Sequence, residues 1–320
     1  MSSNGGERIL VTGALGQIGT ELVVALRETF GTESVIATDI RQPNDHPLYK
    51  SGPFAVLDVL DSESVIKTCI NNEIGSIYHL AAILSATGER NPELCREVNI
   101  GGTTSILDVA REVGLRVFSP SSIAVFGPDA PKKPGQHAKL NPTTVYGETK
   151  VIGERLAREY CENFQVDTRG IRYPGLISYK APAGGGTTDY AVEIFHAAVN
   201  DGHYRCFVRP ETRLPMLYMD DAISATISLM GNEFDSLPAH CAGYNITCLS
   251  FTAKELADAI TERIEGFICE FEPDIRQNYA DSWPDSIDGS LAEEEWHWAP
   301  EFDLDSIVDI MLNGIYNAQS

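Results

Sequence analysis

Tyr146 and Lys150 stand four residues apart, a spacing that places a phenol and an ammonium group on one face of a helix. A phenol loses its proton more easily beside a fixed cation, because the positive charge stabilises the phenolate. Such a pair can therefore serve as a general base. The same spacing occurs on ordinary surface helices, so the chemistry depends on the elements that position the two side chains.

A strand, a glycine turn and a helix are predicted near the N-terminus. An apolar run at residues 9–11 precedes three glycines spaced Gly-x-x-Gly-x-x-Gly, and helical residues 20–29 follow. Glycines here permit a tight turn, a close approach to a pyrophosphate and close packing of helix against strand, while the amides at the helix start attract negative charge. The turn supplies five candidate contacts to a dinucleotide: Gly13, Gly16, Gln17, Ile18 and Gly19.

Asp39 ends the next predicted strand, residues 34–39, twenty residues after Gly19. An acid at this position accepts hydrogen bonds from the adenosine ribose hydroxyls and repels a 2′-phosphate, which favours NAD over NADP. The alternative is a turn or capping acid. Ile40 and Arg41 follow as candidate contacts, and Arg41 keeps a phosphate-binding interpretation open.

Two further predicted strands add to the cofactor site. Residues 54–59 carry an acid suited to the adenine amino group, and residues 76–82 end in small side chains over which a cofactor can lie. Inside the second of these strands, His79 is interpreted as a core histidine with satisfied hydrogen bonds. The candidate contacts from the two strands are Asp58, Val59, Leu80, Ala81 and Ala82.

Ser121 and Ser122 follow a predicted strand at residues 115–119, which comes after a long predicted helix at residues 92–114. In a parallel sheet, ligands bind beyond the carboxyl ends of the strands, so serines at this edge can meet a substrate. Taken alone, they are ordinary turn residues. With the tyrosine and lysine of the following helix, they make a candidate catalytic triad.

These motifs together resemble the extended short-chain dehydrogenase/reductase superfamily, the relatives of the nucleotide-sugar epimerases. The match covers most of the chain and includes the segment Arg172-Tyr173-Pro174. Phe126 departs from the pattern, since many members carry tyrosine there. The resemblance implies a Rossmann fold and NAD as cofactor. It also implies cofactor contacts at Asn99, Tyr146, Lys150, Tyr173, Pro174 and Leu176.

Five separated segments are similar to a narrower family, the short-chain type of L-threonine 3-dehydrogenase: residues 118–128, 172–178, 182–191, 283–288 and 296–300. This resemblance implies oxidation of L-threonine at C3 to 2-amino-3-oxobutyrate. It makes Tyr146 the general base, and Lys150 the group that lowers the pKa of the phenol and holds the nicotinamide ribose. It also implies that Ser122 hydrogen-bonds the reacting oxygen with help from Ser121, and that Asn99 supports the lysine through water.

A small zwitterionic substrate needs short polar contacts. Ser85 and the glycine-rich loop at residues 184–188 can bind its carboxylate and ammonium, and the loop can hinge closed to exclude water. Turn chemistry alone is the alternative for these residues, and a core position is the alternative for Trp283. The predicted substrate contacts are Ser85, Ser121, Ser122, Tyr146, Gly186, Thr187, Thr188 and Trp283.

The order of predicted elements indicates an α/β fold, a Rossmann doubly wound parallel sheet with a smaller, discontinuous C-terminal substrate subdomain. We predict an NAD-binding Rossmann domain at residues 1–172, to which residues 210–235 return, and a substrate-binding subdomain at residues 173–320. A chain of 320 residues that is 43% hydrophobic can bury a core of this size.

The net charge is −22, and residues 251–320 carry 17 acids against 3 lysines or arginines, so nucleic acid and anionic membranes are not expected as partners. No apolar stretch is long enough for a membrane span. Seven scattered cysteines without a Cys-x-x-Cys pair indicate a reducing compartment and argue against a zinc site. Without a clear targeting signal, a soluble cytoplasmic location is expected, and the mitochondrial matrix stays open for a eukaryotic source. The resemblance implies that the chain forms a homodimer. It also implies that L-threonine is its small-molecule substrate.

Two other functions stay open. A nucleotide-sugar epimerase or dehydratase shares every residue of the cofactor core, although the compact Gly/Thr loop has little basic charge nearby for a UDP or TDP group. A catalytically silent NAD-binding regulator is the third interpretation. It is disfavoured because the serine, tyrosine and lysine of the candidate triad are all present.

Overall fold

The computed structural model describes residues 8–42, 45–180, 184–237 and 243–319 of the chain. These ranges form 14 β-strands. In chain order, β1 to β14 are Arg8–Thr12, Val35–Asp39, Phe54–Val56, Ile74–His79, Arg116–Phe118, Ser121–Ser122, Thr168–Arg169, Ile171–Tyr173, Gly175–Ile177, His203–Cys206, Arg213–Tyr218, Tyr244–Asn245, Leu249–Thr252 and Ile268–Phe271.

The same ranges form 13 α-helices. In chain order, α1 to α13 are Gln17–Phe30, Pro47–Lys50, Ser62–Asn71, Ser85–Arg90, Pro92–Arg96, Gly102–Val113, Val145–Phe164, Tyr190–Asn200, Met219–Gly231, Ala253–Thr261, Arg276–Ala280, Ser290–Trp296 and Leu304–Gln319. The predicted long helix at residues 92–114 is present as α5 and α6, joined through a π-helical turn at Glu97–Gly101. Gly114 ends it with a φ of +80°.

Six parallel strands form the central sheet in the order β3-β2-β1-β4-β5-β7. The predicted Rossmann doubly wound sheet is confirmed. The chain starts at β1, runs outward to β3 and then returns to place β4 on the other side of β1. At this reversal the loops after β1 and β4 diverge and leave a crevice at the carboxyl ends of the strands, which is where such sheets bind ligands.

Helices cover both faces of the sheet, which explains why its strands read as nearly continuous apolar runs. Consecutive side chains of β1 point to opposite faces of the sheet. Val11 packs into a core with α1 and α9, whereas Leu10 packs into a core with α3 and α6. Both side chains are fully buried. The two cores hold β1 and β4 rigidly beside the crevice.

A second, smaller unit has its own apolar core. Strands β9, β11 and β13 form a three-stranded sheet, and helices α8, α10 and α13 pack around it. Its buried members include Ile177, Phe195, Met216, Phe251, Leu256 and Met311. The predicted smaller subdomain is therefore present as a separate core, next to the crevice end of the sheet where β8 passes into β9.

Several later segments of the chain pack into the first core. Helix α9 is one of them, and the domain bounds predicted from the sequence stay a prediction. The segment around Tyr244 and the pair Trp296 and Trp298 also pack into that core. Buried Asp221 accepts hydrogen bonds from the backbone amides of Glu301 and Phe302, at 2.9 and 3.3 Å, which anchors the last of these returns.

No helix within the described ranges has the length and apolarity needed to cross a membrane. The same ranges contain no group of three or more His, Cys, Asp or Glu side chains placed to hold a metal ion. Cys95 is a free thiol that is completely buried between α4 and α7, as expected for a small core residue.

Candidate active site

Helix α7 carries the tyrosine and lysine pair, as the sequence predicts. Thr144 caps the helix, because its side-chain oxygen accepts a hydrogen bond of 3.1 Å from the amide of Gly147. The ammonium nitrogen of Lys150 lies 5.7 Å from the ring centre of Tyr146. The two groups therefore share one face of the first helical turns, beside the strand end that carries the serines.

The hydroxyl of Ser122 lies close enough to the phenol of Tyr146 to lower its pKa, and it accepts a 3.2 Å hydrogen bond from the amide of Ala124. Tyr146 is 9% exposed. Burial raises the pKa of its phenol to about 12, and the hydroxyl of Ser122 opposes this shift only in part. The direction is opposite to the lowered pKa that the resemblance implies, because desolvation of the phenolate outweighs the favourable contacts.

Lys150 donates a hydrogen bond of 2.8 Å to the carbonyl oxygen of Pro120. Burial lowers the pKa of its ammonium group to about 8. A cavity between the strand ends and α7 is lined by Lys150 together with three predicted cofactor contacts, Ala81, Ala82 and Asn99. The structure therefore brings these four residues to one place.

Ser121 lines the same cavity as Lys150, but its side chain has a different partner from that of Ser122. Its hydroxyl donates a 2.5 Å hydrogen bond to the carboxylate of Glu154, which forms a buried, bidentate ion pair with Arg172 at 2.7 and 2.8 Å. Consecutive residues of a strand point to opposite faces, so Ser121 and Ser122 cannot both face Tyr146. The hydroxyl of Ser121 is therefore engaged by Glu154, and its contact with the substrate stays a prediction.

The glycine turn is packed too tightly for other residues. Gly13 has a φ of +68°, and a Cβ there would lie 2.6 Å from the amide nitrogen of Ala81. A Cβ on Gly19 would lie 2.6 Å from the carbonyl oxygen of Gly13. Gly16 is the N-cap of α1, and the first amides of this helix need an external acceptor. The side-chain amide nitrogen of Gln17 is buried without a hydrogen-bond partner in the described ranges, so the turn offers free donors to an anion.

Asp39 is almost fully buried, and Arg41 lies over it. The carboxylate accepts hydrogen bonds from the guanidinium of Arg41 at 2.9 and 3.2 Å and from the amide of Leu15 at 3.1 Å. Burial tends to raise the pKa of Asp39, but these bonds outweigh it and hold the pKa below its ordinary value. Arg41 is 62% exposed, so it can leave the carboxylate at small cost. Asp39 therefore fits an ionised acceptor for ribose hydroxyls.

The other predicted cofactor contacts differ in how they face the crevice. Ile40 is exposed and Asp58 is half-buried, whereas Val59 packs into the core with α3. Tyr173 is also a core residue: its hydroxyl is bonded to Thr226 of α9. The phenol of Tyr173 therefore does not serve the cofactor, and only its backbone is available. Ile18, Leu80 and Leu176 are partly buried against the core that contains α1 and α9, and Pro174 is buried, so their contacts with the cofactor stay predictions.

Asn99 lies in the π-helical turn, where the extra backbone residue re-aims its side chain. Its amide oxygen accepts a 2.7 Å bond from the backbone of Ile83, and its amide nitrogen donates to Thr149 of α7 at 3.0 Å. Asn99 thus ties the loop after β4 to the catalytic helix. Its support of Lys150 through water stays a prediction.

His79 is a satisfied core histidine, as expected. Its Nδ1 lies 2.9 Å from the hydroxyl of Thr12 on the neighbouring strand. Burial lowers the pKa of His79 to about 3, so the ring is neutral at physiological pH. It stabilises the β1 and β4 strand ends and takes no part in proton transfer.

The structure brings Ser85 and Thr187 together, although 102 residues separate them. Their hydroxyl oxygens lie 3.4 Å apart, and both residues are buried. Asp189 shapes the loop, because one carboxylate oxygen accepts 2.7 Å bonds from the amides of Gly185 and Gly186. Thr188 is half-buried and faces β9, where a Cβ on Gly175 would meet it at 2.8 Å.

Trp283 packs beside the residues that directly follow Ser122. Its ring contacts the cluster of Ile123, Val125 and Phe126 as well as the core of the smaller unit. Within the described ranges, its buried indole N–H has no hydrogen-bond partner. Trp283 therefore joins the two units and offers one free donor.

The sequence profile of the NAD-dependent epimerase/dehydratase family matches residues 9–246. The chain belongs to this family. An uncharacterized epimerase/dehydratase of Staphylococcus haemolyticus is 46% identical over 311 residues, which cover 97% of this chain and 98% of that protein.

Two solved structures of L-threonine dehydrogenases resemble this family member over nearly its whole length. One is a monomeric L-threonine 3-dehydrogenase from a metagenome, in its apo form, with 48% identity and a TM-score of 0.94 over 98% of this chain and 100% of that chain. The other is the holo form of a GalE-like L-threonine dehydrogenase from Cupriavidus necator, with 45% identity and a TM-score of 0.93 over 96% of this chain and 99% of that chain.

As a member of the NAD-dependent epimerase/dehydratase family, the chain binds NAD. Its residues fit this cofactor, because the first amides of α1 and the unpartnered side-chain amide of Gln17 can donate to a pyrophosphate. Two acids that the sequence did not indicate, Glu154 and Glu89, are bonded to residues of the site. Glu154 could have been noticed from its position one helical turn after Lys150, but nothing near Glu89 in the sequence indicated its bond to the catalytic helix.

Proposed function

We propose that this chain is an NAD-dependent L-threonine 3-dehydrogenase. The observation that carries the proposal is the contact between Ser85 and Thr187. Ser85 begins α4, and Glu89 of the same helix is bonded to Tyr146, so the two hydroxyls belong to the immediate surroundings of the candidate base. The likeness to solved L-threonine dehydrogenases supports the same conclusion.

In the proposed reaction, Tyr146 removes the proton from the 3-hydroxyl of the substrate. Ser122 donates a hydrogen bond to the same oxygen and holds it as the C–O bond becomes a carbonyl. NAD, when bound, accepts the hydride from C3. Lys150 keeps a positive charge near the phenol, which favours the phenolate. The product is 2-amino-3-oxobutyrate.

The substrate's charged ends need donors and acceptors in a small space. We assign its carboxylate to the hydroxyls of Ser85 and Thr187, with the free indole N–H of Trp283 as a further donor. The amide of Gly186 is already bonded to Asp189, so Gly186 contributes only its position beside Thr187. Thr188 borders the same loop. Closure of this loop over a small substrate excludes water from the hydride transfer.

Thr187→Val is expected to raise the KM for L-threonine by about 10- to 100-fold, because a hydrogen bond to a charged group contributes roughly 1.5–3 kcal/mol. Initial rates across a threonine series measure the effect. Thr187→Ser keeps the hydroxyl and is expected to stay close to wild type. Thr261→Val is the matched control, because the hydroxyl of Thr261 donates to the backbone of its own helix, α10. Equal KM values for wild type and Thr187→Val would refute the assignment.

The pH dependence follows from the two shifted pKa values. Tyr146 and Lys150 titrate as a coupled pair, and the lower of the two pKa values, about 8, sets the pH at which the pair loses its first proton. In the active form of the pair, the remaining proton stays on Lys150 and Tyr146 is the phenolate. The value of kcat/KM should therefore rise about tenfold per pH unit below about pH 8 and level off above it. Rates of NADH formation between about pH 6 and 9 measure this, and a flat profile below pH 8 would contradict it.

One assay separates the proposed function from its rival. Incubation with NAD and L-threonine should increase absorbance at the NADH wavelength. The related epimerases and dehydratases act on nucleotide sugars, so UDP-galactose is the second substrate to test. Turnover of UDP-galactose without threonine oxidation would identify a nucleotide-sugar enzyme instead.

A further inference from the structure

Helix α4 lies between the glycine-rich loop at residues 184–188, which we call the substrate loop, and helix α7, which carries Tyr146. At its first residue, Ser85 meets Thr187 of the loop. Near its other end, the carboxylate of Glu89 accepts a 3.1 Å hydrogen bond from the backbone amide of Tyr146. A helix of six residues therefore contacts both the proposed substrate site and the proposed base.

The bond from Tyr146 satisfies a donor that helix α7 cannot satisfy itself. The first amides of an α-helix have no partner within the helix. Thr144 accepts the hydrogen bond of Gly147, and Glu89 accepts that of Tyr146. A carboxylate at this end also interacts favourably with the helix dipole. Glu89 thus helps to hold the backbone of Tyr146 in the first turn of α7. The position of this backbone determines where the phenol lies relative to Ser122.

The packing of α4 leaves little room for independent movement. A Cβ on Gly88 would lie 2.8 Å from the sulfur of Cys95 and 3.9 Å from the Cβ of Tyr146. On the loop side, the amide of Ala86 donates a 3.2 Å bond to the carbonyl of Gly185. A Cβ on Gly184 would lie 2.7 Å from Leu84. A displacement of the loop must therefore shift α4 or break these contacts.

We propose that Glu89 is a positioning residue that couples the substrate loop to Tyr146 through α4. The proposal rests on the proposed function for its effect on turnover. When the loop closes on the substrate, Ser85 and Ala86 hold α4 in place, and Glu89 then holds the first turn of α7 so that the phenol meets the 3-hydroxyl. Glu89 itself touches neither substrate nor cofactor.

Kinetics test the positioning role. Glu89→Ala is expected to lower kcat for L-threonine oxidation by about 10-fold with the KM for NAD unchanged, because misplacement of a catalytic group lowers turnover. Glu89→Gln keeps a side-chain oxygen that accepts the amide bond and is expected to retain most of the activity. Asp303→Ala removes a comparable acid at the start of α13, far from the site, and serves as the control. A Glu89→Ala enzyme as active as wild type, or a glutamine variant as slow as the alanine variant, would overturn the proposal.

A double-mutant cycle tests the coupling to the loop. Glu89→Ala and Thr187→Val are made singly and together, and kcat/KM for L-threonine is compared. If α4 transmits the loop position, the combined loss should be smaller than the product of the single losses by about 3-fold or more, whereas independent sites give multiplicative losses. Multiplicative losses would refute the coupling.

Hydrogen exchange tests the contact without any catalysis. In Glu89→Ala, the amide of Tyr146 should exchange about 10-fold faster or more than in wild type, while the amides at the start of α13 stay unchanged. Unchanged exchange at Tyr146 would overturn the role of Glu89. If the amide of Tyr146 exchanges faster in Glu89→Ala but the wild-type protein does not oxidise L-threonine, the contact between Glu89 and Tyr146 is supported and only the proposed function is rejected.

Discussion

Replacing Tyr146 with phenylalanine is expected to lower kcat for L-threonine oxidation by about 10²- to 10⁴-fold, the usual contribution of a general base. The change removes one oxygen from a buried site and leaves the ring, so packing around α7 is preserved. Without the phenol, no group at this position can take the proton while Ser122 holds the substrate oxygen. NADH formation under saturating threonine and NAD measures the loss.

The dissociation constant for NAD should change little in this variant, which fluorescence titration can show. Tyr160→Phe is the matched control on the same helix, because the hydroxyl of Tyr160 donates a 2.7 Å bond to Asp108. Its loss should leave turnover unaffected. Full activity of Tyr146→Phe would reject the phenol as the base, whereas an equal loss in both variants would point to damage to α7.

The second large effect is expected at Asp39. Asp39→Ala should lower the preference for NAD over NADP by about 10- to 100-fold, because each hydrogen bond to a buried carboxylate is worth roughly 1.5–3 kcal/mol and the charge repels a 2′-phosphate. The structure supports an ionised acid here, since Arg41 and the amide of Leu15 stabilise the carboxylate. The measurement is kcat/KM for each cofactor at saturating threonine.

Two further variants identify the cause of that effect. Asp39→Asn keeps the shape and one acceptor oxygen but removes the charge, so it should lose the discrimination against NADP more than the affinity for NAD. Arg41→Ala tests the phosphate-binding interpretation of Arg41, which predicts a loss confined to NADP. If the ratio of kcat/KM with NAD to kcat/KM with NADP is the same in Asp39→Ala as in wild type, the proposed contact between Asp39 and the ribose is refuted.

The cofactor core could be predicted because its signals are local. The apolar run of β1, the positive φ required at Gly13 and the acid at the end of β2 each depend on a few neighbouring residues. The helical spacing of Tyr146 and Lys150 is local as well, and the cap at Thr144 makes the helix begin directly before them. Residues that follow parallel strands also share one sheet edge in any sheet of this type.

The sequence did not indicate the direction of several site side chains or how deeply they are buried. The sequence places Ser121 and Ser122 at the same strand end, but only the structure shows that Ser121 is bonded to Glu154 and that Ser122 lies near the phenol of Tyr146. The sequence also names Tyr173 as a cofactor contact, but only the structure shows that its hydroxyl is bonded to Thr226 of α9. Burial also reversed the expected direction of the Tyr146 pKa, because desolvation depends on everything packed around the ring.

The sequence by itself determined the family, the Rossmann sheet and the identity of the proposed base, since each follows from spacing along a few turns of chain. Only the tertiary structure brought Ser85 to Thr187 across 102 residues and Glu89 to the amide of Tyr146 across 57 residues. Such contacts depend on how α4 lies between a loop of the smaller unit and a helix of the larger one. No local pattern encodes that arrangement, because it results from the packing of both cores at once.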